Sequence, residues 1–391
     1  MPNAHLWYAD GPDSPRTSPA DVLAAAGYDD GTIADITIGW TIHRLAWMED
    51  PSFRARTVLA GYGLSGGVND GRITALPVRL SAVPSMIEEN PPDVAVVTGI
   101  RRGDAFAFGS SVGWGDVLAR SASRVVVEVD ADGIDLGGPV IAGNVVATVD
   151  APPPPASPAA SRPADAVDLR IGSLVNSLLP DGAMLQFGPG GIGEGIANSL
   201  DRPVRIWSGL VTDAMAAIHD RGHLLAPVVA TYAWGGDPIR RLAASGMLRL
   251  VSCTETHNLT ALSDTPRFVG CNTALQVGLD GAVNVERVGG RTIAAVGGHS
   301  DFCSAASRSI GGLSIIAVRS RTAKGASTIV ATVDQVSTQR SDVDVVVTEH
   351  GIAEVRGIGD AERAQRIIAV AAPEHRAALR RAADRAMTAE R

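Results

Sequence analysis

Short, β-branched apolar runs alternate along this chain with segments of helical length. In the first part they are residues 34–39 (ADITIG), 57–62 (TVLAGY), 75–80 (ALPVRL), 93–99 (DVAVVTG) and 124–130 (RVVVEVD). In the second they are residues 183–188, 203–209, 227–233, 247–252, 314–320, 328–333 and 343–349. Runs this apolar suit strands buried on both faces, and their alternation with helices predicts mostly parallel sheets with helical cover. The fold class expected is therefore α/β, built as two open domains of similar type. Residues 151–165 (APPPPASPAASRPAD) are too rich in proline and small residues for a core element, which predicts a linker between residues 1–150 and 166–391. Helices fit the intervals: one over residues 212–222 with Thr212 as cap, and one over 237–246 with Asp237 as cap, Pro238 in the first turn and Gly246 at the end. After Pro373 the tail reads as an amphipathic surface helix. Pro2, Pro12, Pro15 and Pro19 interrupt the start of the chain and predict an arm or loop there.

Composition narrows the function. The 391 residues are 45% hydrophobic, enough for two cores. Lys and Arg number 34 against 42 Asp and Glu, a net charge of −8, so no basic field exists for a nucleic-acid partner. Cys253, Cys271 and Cys303 make an odd set without CxxC spacing, which points to a reducing compartment and a cytoplasmic protein. Neither a signal peptide nor a run of transmembrane length is visible, so no membrane partner is expected. A homodimer is the default oligomer.

Three stretches carry candidate chemistry. Residues 186–198 (QFGPGGIGEGIAN) place Gly188, Gly190 and Gly191 between a strand and a helix, where amides at a helix N-terminus favour an anion. No acid ends the next strand to hold a ribose, which argues against a dinucleotide. Residues 295–325 join the turn Gly297–Gly298 to the apolar run 314–320, with Asp301 and Lys324 as charges on either side. In residues 345–357 (VVVTEHGIAEVRG) a buried strand runs into Glu349, which either titrates in a cleft or pairs with an arginine such as Arg356. His219 and His223 have Gly222 between them and no third ligand nearby, so no metal site is expected. Glu255 and His257 flank Thr256 in what reads as a solvated loop.

Read together, residues 71–87 (GRITALPVRLSAVPSMI), 91–97, 186–200, 269–283 (VGCNTALQVGLDGAV), 296–325, 347–357 and 371–380 resemble, in order and spacing, the acetyl-CoA hydrolase/transferase family. That family includes 4-hydroxybutyrate and succinyl-CoA:acetate CoA-transferases, and the resemblance covers most of the chain. It implies an acyl-CoA site in the cleft between two related domains, with coenzyme A as part of the substrate and no tightly bound cofactor. In such transferases a glutamate attacks the thioester, giving an anhydride and then a glutamyl-CoA thioester. It sits in a His-Ser-Glu pattern, and the matching residues 207–209 here read Trp-Ser-Gly. Gly209 can form no adduct, and open space is expected beside it. Asn272 matches an asparagine that binds the thioester oxyanion, and Gly298 matches a backbone N–H donor to the same atom. Glu349 matches a second active-site glutamate and is the expected general base. Gly188, Gly190, Gly191, Gly297, Gly298 and Lys324 are the expected CoA contacts. The reaction expected is thioester hydrolysis or carbon–carbon bond chemistry without glutamyl-CoA. The alternatives are transfer through Glu194 or Glu255, and a catalytically silent acyl-CoA binder.

Overall fold

The structure, a computed structural model, describes residues 3–155 and 159–389, so residues 156–158 of the Pro/Ala-rich stretch lie outside the described residues. Two mostly parallel sheets organise the chain. The larger has eight strands, and seven of them lie in the order Ile73–Ala75, Ala55–Thr57, Ile33–Ile38, Asn3–Tyr8, Val94–Arg102, Arg124–Val129, Val145–Asp150. Those seven pair in parallel throughout. Ala105–Ala107 folds back antiparallel on Val94–Arg102. In the smaller sheet Arg205–Ile206, Met184–Phe187, Phe268–Asn272, Leu313–Ala317 and Val345–Thr348 run parallel in that order, and Gly351–Glu354 closes the edge antiparallel. Val345–Thr348 and Phe268–Asn272 are buried along their whole length, as inner strands of a mostly parallel sheet should be.

At the start of the chain residues 9–18 form the expected loop, but residues 3–8 do not. Asn3–Tyr8 is an inner strand of the larger sheet, paired on one side with Ile33–Ile38 and on the other with Val94–Arg102. Its prolines flank the strand instead of interrupting it, and Leu6, Trp7 and Tyr8 are all buried. Three such side chains contribute roughly 1.5–3 kcal/mol each on burial, which outweighs the turn signal around them. A second correction concerns the helix Asp237–Ala244: its N-cap is Gly236, whose N–H donates to the Asp213 carboxylate at 3.0 Å, while Asp237 is the first helical residue. Thr212 does precede the helix Asp213–Asp220 as its cap residue, though without a side-chain cap hydrogen bond. The tail forms the helix Pro373–Ala389. No helix among the described residues is long and apolar enough to cross a membrane.

The first and second halves of the chain are joined by backbone as well as side chains. Val112 N–H donates to the Thr231 carbonyl at 2.9 Å, Ala233 N–H to that of Ser110 at 2.7 Å, and Cys253 N–H to that of Gly113 at 2.8 Å. At the centre of this seam the Tyr232 hydroxyl donates to the Asp10 carboxyl group, which also lies 3.4 Å from the Trp114 N–H. Burial pushes the Asp10 carboxyl up to about 8, against those hydrogen bonds, so it is protonated at neutral pH. The folded state thus binds a proton that the unfolded chain gives up near the ordinary aspartate range. Stability falls as pH rises between that range and about 8. Asp10→Asn, uncharged at every pH, is expected to flatten the decline in thermal midpoint between about pH 5 and about pH 8. Parallel pH profiles for the two proteins would contradict this.

Candidate active site

The carboxyl ends of the smaller sheet supply most of the candidate residues, because its parallel strands end on one edge; of the residues there, Gly188, Asn272 and Glu349 line one cavity, and Gly209 and Ser320 do not. Across the sheet, Gly209 follows the short strand Arg205–Ile206, Gly188 follows Met184–Phe187, Asn272 ends Phe268–Asn272, Ser320 follows Leu313–Ala317, and Glu349 follows Val345–Thr348. A cavity of about 1150 Å³ opens over this edge and is lined by Gly188, Gly190, Gly191, Asn272, Arg319 and Glu349, among others.

Asn272 is buried, with Nδ2 3.6 Å from Cys303 Sγ, a weak acceptor that leaves the amide free to serve a stronger one. The glycine turn reaches the cavity through its neighbours Val296 and His299. Gly297 has φ +52°, a left-handed conformation that glycine holds without strain. Its carbonyl accepts from Leu80 N–H at 2.9 Å. Gly298 caps the ten-residue helix His299–Arg308, so its backbone belongs to the positive end of a helix. One turn along, Asp301 is fully buried and accepts from Ser81 N–H (3.0 Å) and Ser81 Oγ (2.7 Å), with Arg79 at 3.7 Å. Burial pushes the Asp301 carboxyl up, and Ser81 and Arg79 pull against it. Residues 79–81 of the first half of the chain thereby fix the turn that belongs to the second.

Glu349 does not pair with Arg356, which binds Asp344 instead. Its carboxylate accepts from Ser320 N–H at 2.9 Å and Ser320 Oγ at 2.6 Å, and His350 Nε2 lies 3.7 Å away. Burial pushes the carboxyl up, but the Ser320 hydrogen bonds and His350 outweigh it and hold the group below the ordinary glutamate range. Glu349 is thus an anion on the cavity wall, two strands from Asn272, or about 10 Å at the backbone.

At the glycine-rich end, Gly190 has φ +104° and precedes the helix Gly191–Ser199, whose first turn faces the cavity. Arg162 and Arg319 also line it, but both are held by Asp168 at 2.7 and 2.8 Å. Lys324 is exposed, and it is Ala323 and Gly325 on either side that line the cavity. Among the described residues no group of three or more His, Cys, Asp or Glu could hold a metal ion.

Two expectations fail here. The space beside Gly209 is filled, because a Cβ at 209 would lie 3.3 Å from His257 Cε1, 3.4 Å from His257 Nε2 and 3.7 Å from Phe302 Cε2. His257 is correspondingly not in a solvated loop: it is 2% exposed, with its ring centroid 4.6 Å from that of Phe302. Burial lowers its pKa to about 3, so the imidazole is neutral. Glu255, two residues earlier, points away and pairs with Arg249 at the surface. Glu194 does not line the cavity although Gly193 and Ile196 do. Sequence reasoning also missed Tyr62 and His299 on the cavity wall, and Ser320 as the partner of Glu349. Trp114 and Phe108 are both 1% exposed and belong to the hydrophobic core.

A family model for the acetyl-CoA hydrolase/transferase C-terminal domain matches residues 240–383. The 4-hydroxybutyrate coenzyme A transferase of Clostridium kluyveri is 30% identical over 349 residues, spanning 84% of this chain and 81% of that protein. The chain belongs to the acetyl-CoA hydrolase/transferase family. It is an enzyme of that family. An acetyl-CoA hydrolase of Neurospora crassa is 25% identical over 380 residues, covering 79% of this chain and 70% of its own. The crystal structure of RipA from Yersinia pestis superposes with a TM-score of 0.85 at 25% identity, over 99% of this chain and 95% of that one.

Proposed function

We propose that this family member processes acyl-CoA thioesters by hydrolysis, without a glutamyl-CoA intermediate. The observation that carries the proposal is the environment of position 209: it holds no carboxylate, and a neutral imidazole lies 3.3 Å from where a Cβ there would stand. The glutamates that could replace it do not support transfer, since Glu255 is bound at the surface and Glu194 is off the cavity. Nor is a thiolate at hand, because burial pushes the cavity-lining Cys271 thiol up.

In the proposed reaction the thioester carbonyl oxygen is received by Asn272 Nδ2–H and the Gly298 N–H, donors suited to an oxyanion because they are fixed before charge develops. Glu349, anionic and on the cavity wall, takes a proton from water as the water oxygen attacks the carbonyl carbon. Collapse of the tetrahedral adduct breaks the carbon–sulfur bond, and the proton passes from Glu349 to the departing sulfur. The products are a carboxylate and free CoA. The nucleotide and pantetheine portions would lie along residues 188–193 and 319–325, most of which line the cavity.

The test is free-thiol release from a panel of acyl-CoA thioesters, each assayed with and without an added carboxylate acceptor. Release independent of acceptor is the expected result. Turnover only with acceptor would indicate transfer, and saturable binding with no release would indicate a silent binder; either outcome overturns the proposal.

A further inference from the structure

His257 stands in an unusual place. Its Nε2 lies against two backbone positions that the family resemblance assigns to the nucleophile and to an oxyanion donor: a Cβ at Gly209 would be 3.4 Å from that atom, and a Cβ at Gly298 only 2.3 Å. The ring is held there from behind. Thr256 Oγ1 lies 2.9 Å from Nδ1, and the Thr256 carbonyl accepts from Trp207 Nε1 at 3.0 Å. Trp207 packs against the cluster of Leu262, Phe268 and Phe302, the same phenylalanine that contacts the His257 ring. Trp207 and Gly209 are two of the three residues in the Trp-Ser-Gly sequence that replaces His-Ser-Glu. One of them therefore anchors the histidine and the other makes room for it.

We infer that His257 is the specificity-determining residue that excludes covalent catalysis: its ring stands where the nucleophile's side chain would begin, so the acyl group meets water and not a protein carboxylate. The inference rests on reading position 209 as the nucleophile site. It makes Gly209 and His257 a coupled pair. Glycine at 209 leaves the ring unhindered, because a Cβ there would already contact it at the close end of van der Waals range, and a longer side chain would start between the imidazole and Phe302. Restoring the glutamate alone should not restore the chemistry, whereas restoring it and removing the ring should.

The experiment compares Gly209→Glu with the double variant Gly209→Glu/His257→Ala. Each is incubated with acetyl-CoA or succinyl-CoA, quenched and weighed intact, after circular dichroism and acyl-CoA binding have confirmed folding. In a variant that reacts, the introduced carboxylate displaces CoA thiolate from the acyl carbon to give an anhydride. The thiolate then attacks the glutamyl carbonyl and expels the acyl carboxylate, leaving CoA bound as a thioester. The double variant is expected to carry at least about tenfold more CoA adduct than the single one. Equal adduct in both would overturn the exclusion. No adduct in either folded, binding-competent variant would overturn the placement of His257 at the acyl carbon, while wild-type CoA release would still stand as evidence for hydrolysis.

His257→Ala alone provides a second readout that does not depend on tolerating glutamate. With the ring gone, a small carboxylate from solution should enter the vacated volume and accept the acyl group. Acetate or formate is expected to raise CoA release from this variant and to leave the wild type unchanged. Insensitivity of both proteins to these anions counts against the inference.

Discussion

Asn272→Ala is expected to lower kcat for thioester cleavage by about 10²–10³-fold with little change in KM, the loss characteristic of removing one fixed donor to a developing oxyanion. Asn272 ends a strand buried along its length, so the backbone aims its side chain at the cavity over the carboxyl edge of the sheet. The contact of Nδ2 is with Cys303 Sγ at 3.6 Å, too weak to hold the amide against an oxyanion. Truncation removes the donor while leaving the strand pairing to Met184–Phe187 and Leu313–Ala317 in place. Steady-state kinetics on one acyl-CoA substrate decides it. A rise in KM at constant kcat would assign the amide to ground-state binding instead.

Glu349→Gln should cost about 10²–10⁴-fold in kcat, the range for loss of a positioned base. Glutamine keeps an acceptor for Ser320, so the wall of the cavity survives and the loss reports charge and basicity. The pH dependence carries a sign. Because Ser320 and His350 hold the carboxyl below the ordinary glutamate range, the base is ionised through neutral pH. Its acid limb in kcat/KM therefore falls below the ordinary glutamate range. The same depression stabilises the fold above that range, and the contribution is lost as pH falls through the lowered value. Ser320→Ala, which deletes the 2.6 Å hydrogen bond, should move the acid limb upward. An unchanged rate in Glu349→Gln would exclude this residue as the base.

The parts of this account that were legible in the sequence are those set by local pattern. Val94–Arg102, Arg124–Val129 and Val345–Thr348 could be read because runs of β-branched residues have few alternatives to a buried parallel strand. Gly188 and Glu349 could be placed at strand ends on the pattern alone, whereas Asn272 came from the family resemblance, because its strand Phe268–Asn272 is broken by Gly270 and carries no long apolar run. Asn3–Tyr8 was obscured, since prolines on its flanks carry a local turn signal while its place between two strands is decided by long-range pairing. The partner of Glu349 was equally hidden. Arg356 is close in sequence, but its guanidinium is captured by Asp344, and Ser320 reaches the carboxylate only because neighbouring strands end together.

His257 shows the limit most plainly. Its surroundings in sequence, Ser-Cys-Thr-Glu-Thr-His-Asn, are polar and suggest a surface loop, yet the short helix Cys253–Thr256 turns the next residue inward against Gly209 and Phe302. A glycine in place of a nucleophile reads as a vacancy in one dimension. In three, its consequence depends on which side chain moves into the volume released, and nothing near Gly209 in the chain names that side chain.

The central claim is that acyl-CoA is cleaved here without CoA ever being attached to the protein. Intact-protein mass spectrometry of the wild-type enzyme, quenched during turnover of an acyl-CoA thioester whose free-CoA release is followed in parallel, tests it most directly. The account predicts CoA release with the protein mass unchanged at every time point. A species heavier by one CoA, lost on borohydride reduction and mapped to any glutamate, would contradict it.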